Sequence, residues 1–101
     1  MFIIVFFDLP TNSKKERKFA QLFRKNLLND GFIMFQYSVY TRHCSSKEKA
    51  NKHINRIKNF MPEIGQISIL KITDKQFGMM QNFIGKKNRY SNYVSAQLEM
   101  F

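Results

Sequence analysis

The chain has 101 residues, 44% of them hydrophobic, which is enough for one compact domain with its own core and too short for two. Seventeen lysines and arginines against seven acids give a formal charge of +10, which favours a polyanionic partner such as nucleic acid. A single cysteine excludes an intramolecular disulfide and fits a reducing, cytoplasmic setting. The first apolar run is far shorter than a membrane span and lacks the flanks of a signal peptide, so no membrane partner is expected.

The N-terminal part of the chain predicts a strand followed by a helix. The unbroken apolar run Phe2–Phe7 is typical of a strand in the middle of its sheet, and Asp8-Leu9-Pro10 ends it. Ser13 and Glu16 have the spacing of a capping box, which begins a helix. Asn29-Asp30-Gly31 supplies the signal that ends it.

This first helix is amphipathic and carries a row of positive charges. At 100° per residue, the side predicted to pack holds four apolar residues: Phe19, Leu22, Phe23 and Leu27. The opposite side holds five cations: Lys14, Arg17, Lys18, Arg24 and Lys25. Rows of cations meet the phosphates of a duplex, so these five residues, extended by Arg42, are the predicted nucleic-acid-binding set.

The middle of the chain predicts a second strand, a second helix and a third strand. Phe32 to Tyr40 alternates between two faces, which predicts one continuous strand. Ser45 and Glu48 repeat the capping-box spacing and predict a helix that Pro62 terminates. Its apolar stripe consists of Ala50, Ile54, Ile57 and Met61. Gln66–Ile72 is rich in β-branched residues and predicts the third strand.

The last part of the chain predicts short elements. Asp74 is expected to cap a helical turn that continues to Met79, and Gln81–Ile84 is expected to form a short fourth strand. Residues 86–92 form a basic connector, and the alternation that follows predicts an additional C-terminal strand. The whole chain, 1–101, is therefore expected to be a single α+β domain. Its expected architecture is a ferredoxin-like βαββαβ fold, an antiparallel sheet with both helices on one face, plus that strand.

The C-terminal strand also predicts a homodimer. An exposed sheet edge presents unpaired N–H and C=O groups, which a strand from a second copy can satisfy. We expect residues 86–101 to supply the connector and the strand for this exchange.

Asp8 is the candidate for chemistry. It follows the most apolar strand, where a carboxylate is costly to bury unless it is hydrogen-bonded or meets a cation. One interpretation is structural, with Asp8 capping the Leu9-Pro10 turn. The other is a ligand of Mg²⁺, which needs only one or two protein carboxylates, in a site that hydrolyses phosphodiesters. His43 lies in a predicted loop without a matching acid, and His53 is expected on the surface of the second helix.

Three segments resemble one protein family. The first is Phe7-Asp8-Leu9-Pro10-Thr11 followed by Lys15-Glu16-Arg17. The second is Leu27-Leu28 with Gly31 to Tyr40, and the third is Ile72 to Phe77. Together they resemble the CRISPR-associated protein two family, the small subunit of the spacer-acquisition complex, in a version similar to that of type II systems.

The resemblance implies a ferredoxin-like homodimer that binds duplex DNA and bridges dimers of the CRISPR integrase subunit. It also implies magnesium-dependent endoribonuclease or deoxyribonuclease activity with Asp8 as both catalytic residue and metal ligand, and possible substrates include single-stranded RNA. A toxin-like ribonuclease of related fold, of the virulence-associated protein D type, is the alternative.

Overall fold

The computed structural model describes residues 1–85, which form four strands and three helices. Their bounds are β1 Phe2–Asp8, α1 Lys14–Asn29, β2 Ile33–Gln36, β3 Val39–His43, α2 Lys47–Asn59, β4 Gln66–Ile72 and α3 Asp74–Gly78. The strands form one antiparallel sheet in the order β2-β3-β1-β4. The predicted ferredoxin-like fold is therefore confirmed. Across 1–85, none of the helices has the length and apolar character needed to cross a membrane.

Strand β1 lies inside the sheet, as its apolar run predicted, with β3 on one side and β4 on the other. Every second residue of β1 points into the core, and Ile3 and Val5 are fully buried. The same core cluster contains Phe23 and Leu27 of α1 and Ile57 of α2. Both helices consequently cover the same face of the sheet, as expected.

The capping box of α1 is confirmed: Ser13 Oγ accepts the Glu16 amide at 3.1 Å and Glu16 Oε1 accepts the Ser13 amide at 2.8 Å. The predicted apolar side is only partly right, because Phe19 and Leu22 are 45% and 51% exposed. Ala20 is buried instead. Since α2 ends at Asn59, the loop after it lies beside these two side chains and leaves open grooves there.

The prediction of one strand from Phe32 to Tyr40 is wrong, because the segment is a hairpin. Strands β2 and β3 pair with each other and the chain reverses at Tyr37-Ser38. Ser38 adopts a left-handed backbone with φ of 63°, and its carbonyl accepts the Phe7 amide at 3.1 Å. The turn contains no glycine, proline or asparagine to mark it, so the alternation concealed it.

Three predicted boundaries also shift. Ser46, not Ser45, caps α2, and its hydroxyl accepts the Lys49 amide at 3.2 Å. Helix α2 ends two residues before Met61, because Pro62 disfavours helical geometry at the residue that precedes it. Thr73, not Asp74, caps α3, through a capping box with Gln76.

The predicted fourth strand at Gln81–Ile84 is absent, since residues 81–85 have no regular structure and Phe83 is 88% exposed. An apolar pair next to a glycine did not suffice, because within 1–85 no strand pairs with this segment. The predicted connector and C-terminal strand at 86–101 lie outside the described residues.

His53 was expected on the helix surface and is instead buried, with a side chain 11% exposed. Its Nδ1 lies 2.9 Å from Asp30 Oδ2, while Arg56 Nη1 donates to Asp30 Oδ1 at 2.8 Å. Partial burial alone would raise the pKa of Asp30, but the hydrogen bonds and charges of His53 and Arg56 outweigh it and lower the pKa. Asp30 thus ties the end of α1 to α2.

The left-handed turn residue gives a testable prediction. Replacing Ser38 by glycine should raise the free energy of unfolding by about 0.5 kcal/mol, because relief of backbone strain exceeds the entropy lost by a flexible residue. Urea unfolding measures the change. Ser68→Gly, in the extended backbone of β4, is the control and should lower stability; stabilisation by both substitutions would contradict the strain argument.

The Asp30 cluster predicts a pH dependence of stability. Because the pKa of Asp30 is lower in the folded state, the ionised carboxylate stabilises the fold above pH 3.8, its unperturbed value. This contribution is lost as the pH falls through the folded-state pKa. Asp30→Asn should therefore cost about 1–3 kcal/mol near neutral pH and much less near pH 3. Urea unfolding at both pH values checks this; a constant gap between variant and wild type would show that ionisation of Asp30 contributes nothing.

Candidate functional site

Asp8 is the last residue of β1 and lies on the face of the sheet opposite to α1 and α2. Its neighbour Phe7 points into the core, so the alternation of the strand turns Asp8 the other way. The side chain is exposed and makes no hydrogen bond or ion pair with the described residues. The structure therefore does not place it in the capping role that the Leu9-Pro10 turn allowed, and no burial cost applies to it.

The sheet face around Asp8 is open and partly apolar. Phe6 and Leu70 lie on it and are 41% and 48% exposed. At the other end of the face, α3 covers the sheet through Phe77, whose ring centroid is 3.8 Å from that of Phe2. Asp8 thus lies at the end of the face that no other part of residues 1–85 covers, beside exposed apolar side chains.

The donor groups near Asp8 decide which cation fits. Within residues 1–85 no group of three or more histidine, cysteine, aspartate or glutamate side chains is placed to hold a metal. Zinc, which takes three or four protein ligands, does not fit such a site. Mg²⁺ does, since it keeps several of its waters and binds to one or two carboxylates.

The predicted cations of α1 divide into two groups. Lys14, Lys18 and Lys25 are exposed and lie within about 40° of one another around the helix. None of the three has an ion-pair partner in the described part of the chain. They extend over about 16 Å of the helix axis, enough to follow several phosphates of a duplex.

The arginines of α1 that were predicted to bind nucleic acid make contacts within the protein. Arg17 Nη1 donates to the Thr11 carbonyl at 3.1 Å. The Arg24 guanidinium lies over the rings of Phe7 and Tyr37, 5.8 and 5.6 Å from their centroids.

Arg42 is partly buried, and its Nη1 donates to the Asp30 carbonyl at 2.9 Å. Its Nε is buried without a partner, and its guanidinium occupies the space where a side chain at position 31 would lie, which Gly31 leaves free. These contacts give Arg42 a packing role between β3 and the end of α1, away from the lysine row.

Sequence reasoning missed two contacts of the histidines. His43 has a matching acid after all, because its Nε2 lies 3.2 Å from Asp74 Oδ1, which also pairs with the Met1 amine. Hydrogen bonds from the Met1 amine and then His43 lower the pKa of Asp74. His53 meets Asp30, a residue 23 positions away. No local pattern marks either pair, since each joins residues that only the tertiary fold brings together.

The fold and the site define a class: a small, basic ferredoxin-like protein in which, within residues 1–85, a lysine row without ion-pair partners lies on one side of the sheet and an unpaired carboxylate on the other. A family model described as CRISPR associated protein Cas2 matches residues 1–80. A protein of Flavobacterium psychrophilum named CRISPR-associated endoribonuclease Cas2 is 56% identical over 101 residues, which cover 100% of this chain and 88% of that protein. A protein of the same name from Parvibaculum lavamentivorans is 46% identical over 100% of both chains.

These matches show that the chain belongs to the Cas2 family of CRISPR-associated proteins, which decides against the toxin-like alternative. Among solved structures, Streptococcus pyogenes Cas2 at pH 6.5 is similar with a TM-score of 0.63 and 18% identity. The match covers 82% of this chain and 99% of that one, and it supports the fold.

Proposed function

We propose that this chain is a metal-dependent endoribonuclease, with Asp8 as catalytic residue and as ligand of Mg²⁺. The observation that carries the proposal is the exposed Asp8 carboxylate, which has no partner among residues 1–85. The relatives described above are named endoribonucleases. When bound, Mg²⁺ supplies an acidified water and neutralises charge on the phosphodiester. Asp8 would hold the ion.

A homodimer is part of this proposal, because one carboxylate per chain is a sparse site. Phe6 and Leu70 lie on the same face as Asp8 and leave apolar surface exposed, which a second copy would cover. Two-fold symmetry then places the same patch of both copies in contact and brings the two Asp8 carboxylates towards one axis. Exchange of residues 86–101 with the partner protomer would add to this contact.

Asp8→Ala should abolish cleavage of single-stranded RNA. We expect the rate to fall by about 10³-fold, since several kcal/mol of charge stabilisation on the phosphodiester depend on the metal. The measurement is cleavage of end-labelled RNA across a Mg²⁺ titration, with EDTA as the metal-free reference and duplex DNA as a second substrate.

The control is Glu48→Gln, which removes one exposed carboxylate on α2 and changes the net charge by the same amount. It should cleave like the wild type. Activity that survives in Asp8→Ala would place the chemistry elsewhere or in a contaminant.

A second function is supported by a separate observation. We propose that the chain also binds the phosphate backbone of duplex DNA and holds the CRISPR integrase subunit during spacer acquisition. The lysine row on α1 supports the proposed DNA binding. Its side chains have no ion-pair partner among the described residues, and such a row can replace the counterions along a duplex. This role requires no hydrolysis at Asp8.

Neutralising the row tests its part in binding. In Lys14→Gln/Lys18→Gln/Lys25→Gln, we expect weaker duplex binding at low salt. The slope of log affinity against log salt should be shallower by about 2.7 for each chain engaged, since three phosphate contacts are lost. Fluorescence anisotropy with a labelled duplex at four or more salt concentrations measures both quantities.

The matched control is Lys47→Gln/Lys52→Gln/Lys58→Gln, which removes three exposed lysines of α2 and the same net charge. Its slope should stay near that of the wild type. Equal losses in both triple variants would show that net charge, and not the row on α1, drives binding.

A further inference from the structure

Gln66 lies directly opposite Asp8 in the sheet. It is the first residue of β4, and the antiparallel register pairs its Cα with that of Asp8. Residues opposite each other in such a pair project to the same face, with Cβ atoms about 4.5–5.5 Å apart. Both side chains are exposed, so a carboxamide and a carboxylate stand side by side on the face of the sheet opposite to α1 and α2.

A glycine fixes this juxtaposition. Gly65 has φ of +112°, a conformation that side chains disfavour. A Cβ at this position would meet the Asp8 carbonyl oxygen at 2.9 Å and Leu9 Cδ2 at 2.6 Å. Only a residue without a side chain lets the loop run this closely along the end of β1, and the next residue is then Gln66. The backbone conformation at Gly65 therefore holds the Asp8 and Gln66 side chains close together at this end of the sheet.

The chemistry of Gln66 suits a site that has one carboxylate. Its carboxamide makes no hydrogen bond with the described residues and remains available. A neutral amide oxygen is a hard ligand of the type that Mg²⁺ and Mn²⁺ accept beside carboxylates. The next residue of β4 on this face is Ser68, which pairs with Phe6 and therefore lies further from Asp8.

We propose that Gln66 is the second metal-ligating residue of the Asp8 site, with its side-chain oxygen binding the divalent cation or a water on it. This inference rests on the proposed function, since it assigns a partner within the same site. It also gives Gly65 a role, because the position of the second ligand depends on that close approach.

The test measures the binding of Mn²⁺ alone, with the free ion quantified by electron paramagnetic resonance. Gln66→Leu keeps the size of the side chain and removes its oxygen; we expect about a tenfold weaker affinity. Gln66→Glu replaces the neutral oxygen by a charged one and should bind at least as tightly as the wild type. Gln36→Leu, at the exposed end of β2, is the matched control and should bind like the wild type. Circular dichroism melting confirms that each variant is folded.

Asp8→Ala, measured in the same way, separates the two proposals. Loss of Mn²⁺ in Asp8→Ala with wild-type affinity in Gln66→Leu would overturn the role of Gln66 and leave the Asp8 site standing. Wild-type affinity in Asp8→Ala, or no binding by the wild type, would overturn both. Loss in Asp8→Ala, weakening in Gln66→Leu and recovery in Gln66→Glu would establish Gln66 as a ligand, because a packing role would not follow oxygen charge.

Discussion

The burial of Ile3, Val5 and Phe7 beneath the two helices decides where every other residue of β1 points. Side chains of a strand alternate strictly, so a slip of one residue would turn these three to the other face and bring Phe2, Ile4, Phe6 and Asp8 to the side of the two helices. Each set holds three apolar side chains, so the main difference between the two phases is the cost of burying the Asp8 carboxylate without a partner, which amounts to several kcal/mol. That difference fixes the phase of the strand. Asp8 is exposed on the face opposite to α1 and α2 because its neighbour Phe7 is buried on the other one.

The same constraint carries through the sheet to the neighbouring strands. The register with β4 is set along the whole of β1, from Phe2 opposite Ile72 to Asp8 opposite Gln66. At the last pair, Gly65 lets the chain pass close to the Asp8 carbonyl oxygen just before Gln66. On the other side, the carbonyl of Ser38 accepts the Phe7 amide, so the strained turn between β2 and β3 is held against the end of β1. Both loops therefore meet β1 at its carboxyl end.

Local signals in the sequence were sufficient for the elements that local chemistry determines. The apolar run of β1, the Ser13 capping box and the strand at Gln66–Ile72 were predicted correctly, because each depends on residues within a few positions. The hairpin was missed because Ser38 adopts its left-handed backbone without a glycine or asparagine, which tertiary contacts allow and propensity does not reveal.

For the candidate site, the sequence proposed Asp8 and the lysines of α1 as candidates but could not supply their surroundings. That Gln66 faces Asp8 follows from strand register, and that Asp30 holds His53 follows from helix packing; neither is a local property. Arg42 illustrates the converse. Its charge made it a candidate for phosphate contact, while the structure directs Nη1 to the Asp30 carbonyl and buries Nε. Charge alone does not distinguish a surface cation from one that packs.

The two proposed functions use opposite sides of the sheet, and this separates them physically. The free lysines lie on α1, in the helical layer, whereas Asp8 and Gln66 project from the other face. A duplex that follows the lysine row has the sheet between itself and the carboxylate of the same chain. Its phosphates therefore do not approach the metal site while they occupy the row. The two proposed functions, binding of duplex DNA and hydrolysis at Asp8, therefore use separate surfaces, and a substitution that removes one is expected to leave the other.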